Sequence, residues 1–209
     1  MAVALLDLDG TLIDSGPVIF AAARHALTTA GLPVPADLRP FVGPPLPVGM
    51  QTVLGVPSER VPELIELYRA HQEAHLADTP VYEGVIEMCE ALRARGWRLA
   101  VATSKYEVVA RKTTDALGIT GLFDVIAGGD DASADKSVVI SRALERLGPL
   151  SAAPIMVGDR RYDVAGAHAH GMQVLFAAWG YGSLEEAEGA DGIVEEPAHL
   201  VAALEELRA

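Results

Sequence analysis

Two aspartates two residues apart stand near the start of the chain, in Asp7-Leu8-Asp9-Gly10-Thr11. Within a strand, side chains two apart point to the same face, so at a strand end that turns on Gly10 both carboxylates can address one ligand. Further along come Thr103-Ser104-Lys105, then Lys136 at the start of a helical pattern, then Gly158-Asp159-Arg160-Arg161-Tyr162-Asp163. Two carboxylates about 4 Å apart at an effective dielectric near 20 repel by about 4 kcal/mol. Asp7, Asp9, Asp159 and Asp163 brought together would therefore need protons or a cation. Hard oxygen donors select a hard ion, and Mg²⁺ commonly combines a carboxylate or two with waters and phosphate oxygens. Beside such an ion, one carboxylate of the Asp7/Asp9 pair can attack phosphorus. The other can protonate the leaving alcohol and then activate water. A carboxylate is a weak nucleophile, so the scheme depends on in-line placement and on neutralising the phosphoryl oxygens. Lys136, Thr103 and the backbone N–H groups after Asp7 are suited to that task.

These residues can meet only if secondary structure delivers them to one place. The apolar runs 2–8, 98–103, 124–127, 154–157, 172–177 and the short 192–194 read as strands. Helical patterns over 85–95, 105–117, 136–147, 162–170 and 197–208 lie between them. Alternation of this kind predicts a parallel sheet covered on both faces. Such sheets bind ligands beyond the carboxyl ends of their strands, where Asp7, Asp9, Thr103, Ser104 and Asp159 fall. Residues 15–81 break the rhythm. Helices are expected there at 16–31, 46–54 and 58–77 around a Pro/Gly-rich loop at 33–49, with Ser15 as N-cap before Pro17.

The 209 residues are 50% hydrophobic and carry a net charge of −13. That balance repels phosphate backbones, so nucleic acid is not an expected partner, and no apolar run is long enough to span a bilayer. The first residues enter a strand-like run without a basic leader, so no secretory signal is expected. Cys89 is the only cysteine, which fits a reducing cytoplasm and excludes an internal disulfide or a cysteine metal cluster. An anionic substrate in so acidic a chain needs a locally positive pocket, which a metal ion and Lys136 would supply.

The stretch Asp7–Ser15, Asp-Leu-Asp-Gly-Thr-Leu-Ile-Asp-Ser, resembles the first motif of the haloacid dehalogenase superfamily of phosphatases. Thr103 matches the second motif, Lys136 the third and Gly158-Asp159…Asp163 the fourth, in order, over a framework from residue 5 to about 180. The resemblance implies an α/β fold with a Rossmann-like parallel sheet core, here 1–14 and 82–209, and an inserted helical cap domain, here 15–81. It implies that Asp7 is nucleophile and metal ligand, and that Asp9 is the acid–base residue, offering its backbone carbonyl to the metal. Asp159 would bind the metal directly, Asp163 would support it, and Thr103, Ser104 and Lys136 would bind substrate. Dehalogenase and phosphonatase branches lack the aspartate present here as Asp9, P-type pumps carry lysine where this chain has Leu8, and sugar phosphomutases often replace Thr11 by valine. Phe41-Val-Gly-Pro-Pro-Leu46 and Gly180-Tyr-Gly-Ser183 look like the phosphoglycolate phosphatase and 5′-nucleotidase-like group, although Lys136-Ser-Val-Val lacks the prolines of many third motifs. The implied activity is Mg²⁺-dependent hydrolysis of small phosphomonoesters, of phosphoglycolate or nucleoside 5′-monophosphate type, through an aspartyl-phosphate. A sugar phosphomutase and a non-catalytic binding protein on the same fold remain as alternatives.

Lys105, Arg160 and Arg161 are open between substrate contact and surface charge. Arg24, His25, Arg39, Phe41, Gln51 and Tyr106 are candidates for selecting the substrate. His71 and His75 have the i,i+4 spacing of a metal pair, but without a third ligand they read as exposed side chains. Cys89, among Val85, Met88 and Leu92, reads as a buried structural cysteine, and the acidic C-terminal run as a solvated face.

Overall fold

A computed structural model of the chain describes residues 1–130 and 133–208. The chain runs through β1 (Val3–Leu6), α1 (Gly16–Thr29), α2 (Leu46–Thr52), α3 (Val61–Ala74) and α4 (Val85–Ala94). It continues through β2 (Arg98–Tyr106), α5 (Glu107–Ala116), β3 (Val125–Gly129), α6 (Lys136–Leu147) and β4 (Ile155–Gly158). It closes with α7 (Arg161–Ala169), β5 (Gln173–Ala177), β6 (Gly192–Val194) and α8 (Leu200–Arg208). The six strands form one parallel sheet in the order β3-β2-β1-β4-β5-β6.

Side chains alternate across the pleat. Ala4 and Leu6 of β1 join Val85, Leu92, Ala110 and Leu200 on the face covered by α4, α5 and α8. Val3 and Leu5 join Val139, Ile140, Ala143 and Val164 on the face covered by α6 and α7. Both faces are dry, which is why β1 reads as an unbroken apolar run. Strand order reverses between β1 and β4, so the crevice for a ligand opens at their carboxyl ends.

All six expected strands are present. β2, however, runs on to Tyr106, past the expected end at 103, with its pairing to β3 shifted in register between Ala102 and Tyr106. Lys105, expected to open a helix, therefore lies on a strand that points into the crevice.

Between β1 and α4 the chain leaves the sheet. Helices α1, α2 and α3 pack around their own cluster, which includes Ala23, Leu27, Phe41, Met50, Leu64 and Tyr68. The segment departs and returns at one place. The Asp14 N–H donates to the Pro80 carbonyl at 2.9 Å, the Tyr82 N–H donates to the Leu12 carbonyl at 3.1 Å, and Ile13 bridges Val81 antiparallel. Ser15 does not cap α1 as expected. It is already helical, at φ −81° and ψ −9°, which turns its hydroxyl away from the helix amides, and its oxygen is buried without a partner. The Gly16 N–H donates instead to the Tyr181 hydroxyl at 2.5 Å. Among the described residues no helix is long and apolar enough to cross a membrane.

Candidate active site

Asp7 extends β1 by one ladder bond, its N–H donating to the Val157 carbonyl of β4 at 2.9 Å. The chain then turns at Gly10, where φ is +87° and an added Cβ would overlap the Asp159 carboxylate. Only glycine meets both demands. Asp159 follows β4 and is fully buried. Its Oδ1 accepts from the Thr11 hydroxyl at 3.3 Å and its Oδ2 from the Tyr181 N–H at 2.7 Å. Asp163, in the first turn of α7, accepts the Arg160 N–H at 3.0 Å through Oδ2, so the helix start fixes its carboxylate. Lys136, the first residue of α6, places Nζ 2.7 Å from Asp7 Oδ1 and 2.7 Å from Asp163 Oδ1, and donates to the Ala102 carbonyl at 2.9 Å.

Carboxylate oxygens of Asp7, Asp159 and Asp163 lie within 4.8 Å of one another, all buried. One lysine cannot neutralise three carboxylates. Burial pushes the Asp7 carboxyl up from 3.8 to about 6, with Lys136 pulling it down and Asp163 and Asp9 adding to the rise. Burial, then Asp163 and Asp7, hold Asp159 well above its ordinary value. For Lys136 burial alone would lower the value, but Asp163 and Asp7 outweigh it and raise it. Asp7 Oδ1 and Asp163 Oδ1 accept no well-directed hydrogen bond. Crowded, under-bonded oxygen donors of this kind fit a hard divalent cation such as Mg²⁺.

Asp9 does not join that trio through its carboxylate. Both of its oxygens accept from Lys105 Nζ, at 2.8 and 2.9 Å, which leaves only its backbone for the metal role the resemblance implies. The Lys105 side chain is 9% exposed, so the surface reading of this residue is wrong, and the extension of β2 is the reason. Thr103 is buried and its Oγ1 accepts the Lys105 N–H at 3.2 Å. Arg160 is likewise no surface charge. It is buried, with Nε donating to Glu186 at 3.0 Å, while the exposed Arg161 gives that carboxylate only its backbone N–H.

Asp7, Asp9, Thr103, Ser104 and Lys105 line the floor of a cavity of about 80 Å³ roofed by the helical segment. Of the residues chosen from sequence as selectors, Phe41 and Tyr106 reach it. Arg24, His25, Arg39 and Gln51 do not and are exposed, Arg39 pairing with Asp37 at 2.9 Å. Sequence reasoning missed Tyr68, Arg69 and Gln72, which line the roof. A signal was present for Gln72. Val61, Leu64 and Tyr68 mark the buried stripe of α3, and Gln72 continues it as a polar residue in an inward position, donating to the Tyr68 hydroxyl at 3.0 Å.

His71 is half-buried rather than exposed, with the His75 ring stacked on it at 4.4 Å and the His25 ring at 4.8 Å. Ring faces meet there rather than ring nitrogens. Among the described residues, the aspartate trio alone brings its ligand atoms together. Cys89 is buried as expected, and burial pushes its thiol up to about 12.

The model of the haloacid dehalogenase-like hydrolase family matches residues 4–177. The chain belongs to that family. The Rossmann-like sheet expected from the sequence is thus the family's fold, in this chain as in its solved relatives. A crystal structure of a predicted phosphatase from Clostridium acetobutylicum superposes with a TM-score of 0.91 at 33% identity, covering 98% of each chain. The phosphoglycolate phosphatase of Aquifex aeolicus is 32% identical over 206 residues, 96% of this chain and 95% of the relative. The tyrosine-protein kinase PtkA of Mycobacterium tuberculosis is 43% identical over 184 residues, 85% of this chain. The chain spans only 62% of the length of PtkA.

Proposed function

We propose that this hydrolase is a Mg²⁺-dependent phosphatase acting on small phosphomonoesters, with Asp7 as nucleophile and Asp9 as acid–base residue. The observation that carries the reading is the division of the Asp7/Asp9 pair. Asp7 joins Lys136, Asp159 and Asp163 on one side, Asp9 is bound by Lys105 on the other, and both line one cavity. Asp7, Asp159, Asp163 and the backbone of Asp9 would hold the ion, whose positive charge would offset that of the phosphoryl oxygens.

An Asp7 carboxylate oxygen attacks phosphorus, the bond to the leaving oxygen breaks, and Asp9 gives that oxygen its proton. In the second half Asp9 takes a proton from water, the water oxygen attacks phosphorus, and Asp7 is freed as phosphate departs. Lys136, Thr103 and Ser104 bind phosphoryl oxygens, and Lys105 positions the Asp9 carboxylate. Residues 15–81 serve as a cap domain on a core of 1–14 and 82–209, excluding water from the cavity. A buried, lone Cys89 suits a cytoplasmic setting, and the net charge of −13 disfavours nucleic acid.

The name of the Aquifex relative supports hydrolysis. PtkA is named for a kinase acting on protein tyrosine, and release of inorganic phosphate rather than phosphoryl transfer to tyrosine separates the two readings. Release of inorganic phosphate from p-nitrophenyl phosphate and small esters tests the reading. EDTA should abolish release, Mg²⁺ should restore it, and Ca²⁺ should substitute poorly because its coordination is looser. Full activity after thorough chelation would remove the mechanism. Isomerised sugar phosphate without phosphate release would indicate a mutase, and no turnover of any ester an idle binding protein.

A further inference from the structure

The cavity wall carries four charged side chains of opposite signs, Asp7, Asp9, Lys105 and Arg69. Three already have partners. Asp7 faces Lys136 at 2.7 Å and Asp9 faces Lys105 at 2.8 Å. Among the described residues no carboxylate pairs with Arg69, in a chain with 29 acidic residues against 16 basic ones. Its guanidinium carbon stands 4.7 Å from the centre of the Tyr106 ring. Stacking of this kind fixes the guanidinium plane and leaves its N–H edges free to donate. Below it, Lys105 directs N–H donors at both Asp9 oxygens and retains a third, since an ammonium carries three.

We propose that Arg69, with Lys105, forms a subsite for a second anionic group on the leaving-group side of the substrate. The preferred substrates are then small phosphate esters or anhydrides whose leaving group itself bears a carboxylate or a further phosphoryl group. The inference rests on the phosphatase reading and narrows it. Charge argues for the anion, because Asp9 is matched by Lys105 and the roof adds a cation with no carboxylate partner among the described residues. The space beside Asp7 measures about 80 Å³ and adjoins a wider pocket of about 440 Å³ that shares Leu46, Arg69, Ser104 and Tyr106, so charge rather than size is what the subsite selects.

The test compares kcat/KM for 2-phosphoglycolate, pyrophosphate, hydroxyethyl phosphate and adenosine 5′-monophosphate, with Mg²⁺ present. Hydroxyethyl phosphate has nearly the size of 2-phosphoglycolate but lacks its carboxylate. The wild-type protein should favour at least one anionic substrate over hydroxyethyl phosphate, and which one identifies the group that the subsite takes. Charge-assisted hydrogen bonds of this sort are worth about 10–100-fold, so Arg69→Gln should shrink that preference by about as much, chiefly through KM, and Arg69→Lys should recover part of it. Arg69 is only partly buried on the cavity wall, and unchanged thermal unfolding of the variants would show that they fold. A wild-type preference for hydroxyethyl phosphate or adenosine 5′-monophosphate, or a preference that survives Arg69→Gln, overturns the subsite and leaves the phosphatase reading standing. Failure of the wild-type protein to hydrolyse any of the four, or p-nitrophenyl phosphate, overturns both.

Discussion

At the edge of the sheet, Asp7, Lys136, Asp159 and Asp163 are buried together and every charge leans on another. Across the cavity, the helical segment offers Phe41, Val42 and Tyr68, a single amide at Gln72 and a single charge at Arg69. The floor is electrostatically expensive and the roof is mostly an ordinary apolar core. On the proposed phosphatase reading, the difference gives the reaction type to the floor, where the crowded charge lies. The same reading leaves the choice of substrate to the roof, whose few polar groups can change without disturbing that balance.

The largest effect should come from the floor. Asp9→Asn keeps the shape of the side chain but removes the proton carrier, which should lower kcat by about 10²–10⁴-fold on an alkyl phosphate. On p-nitrophenyl phosphate, whose leaving group needs less protonation, the first step should partly recover and phosphoenzyme should build up, visible by rapid quench. Asp7→Asn should form none, and covalent label on that variant would mean the nucleophile lies elsewhere.

A smaller effect on stability follows from the same crowding. The Asp7 carboxyl rises from 3.8 to about 6 on folding, so the folded chain holds that proton more tightly than the unfolded one. Its contribution is full below pH 3.8 and is lost as pH rises through about 6. Such a rise corresponds to at most roughly 3 kcal/mol. In EDTA at pH 7, Asp7→Asn should therefore melt above the wild type, with the gap closing towards pH 4. Mg²⁺ should stabilise the wild type more than the variant. A wild type that melts higher at pH 7 without metal would mean that Lys136 fully offsets the crowding.

The roof should give the smallest change. Gln72→Leu leaves the Tyr68 hydroxyl without its donor and should cost about 1 kcal/mol. Adding Tyr68→Phe should recover part of it, a coupling that thermal unfolding of the cycle can measure. Fully additive losses would show that the two side chains act independently.

The floor was legible in the sequence because each of its residues is tied to a strand end or a helix start. Asp7 and Asp159 follow apolar runs and Lys136 opens a periodic segment, so the chain's own punctuation places them. Lys105 was not legible, because the run to 103 gives no sign that pairing with β3 carries β2 on to Tyr106. Arg69 and Gln72 were not legible as cavity residues either. They lie on a helix whose periodicity shows which face is buried, while which end overhangs Asp9 depends on how the segment docks. Arg24, His25, Arg39 and Gln51 were chosen by residue type alone, and they are exposed.

The helical segment leaves the sheet and re-enters it across one antiparallel bridge, with Asp14 N and Pro80 O 2.9 Å apart. A chain whose exit and entrance are neighbours asks nothing of the span between them. Whatever is spliced in at this doorway, short or long, closes its loop at the same two residues, and the closure entropy changes only slowly with length. A segment joined in this way can be exchanged as a unit. Recombination at one doorway could exchange the whole roof while strands β1 and β2, and the charges they carry, keep their register. New substrates could then be reached in a single genetic event, without the chemistry having to be invented again.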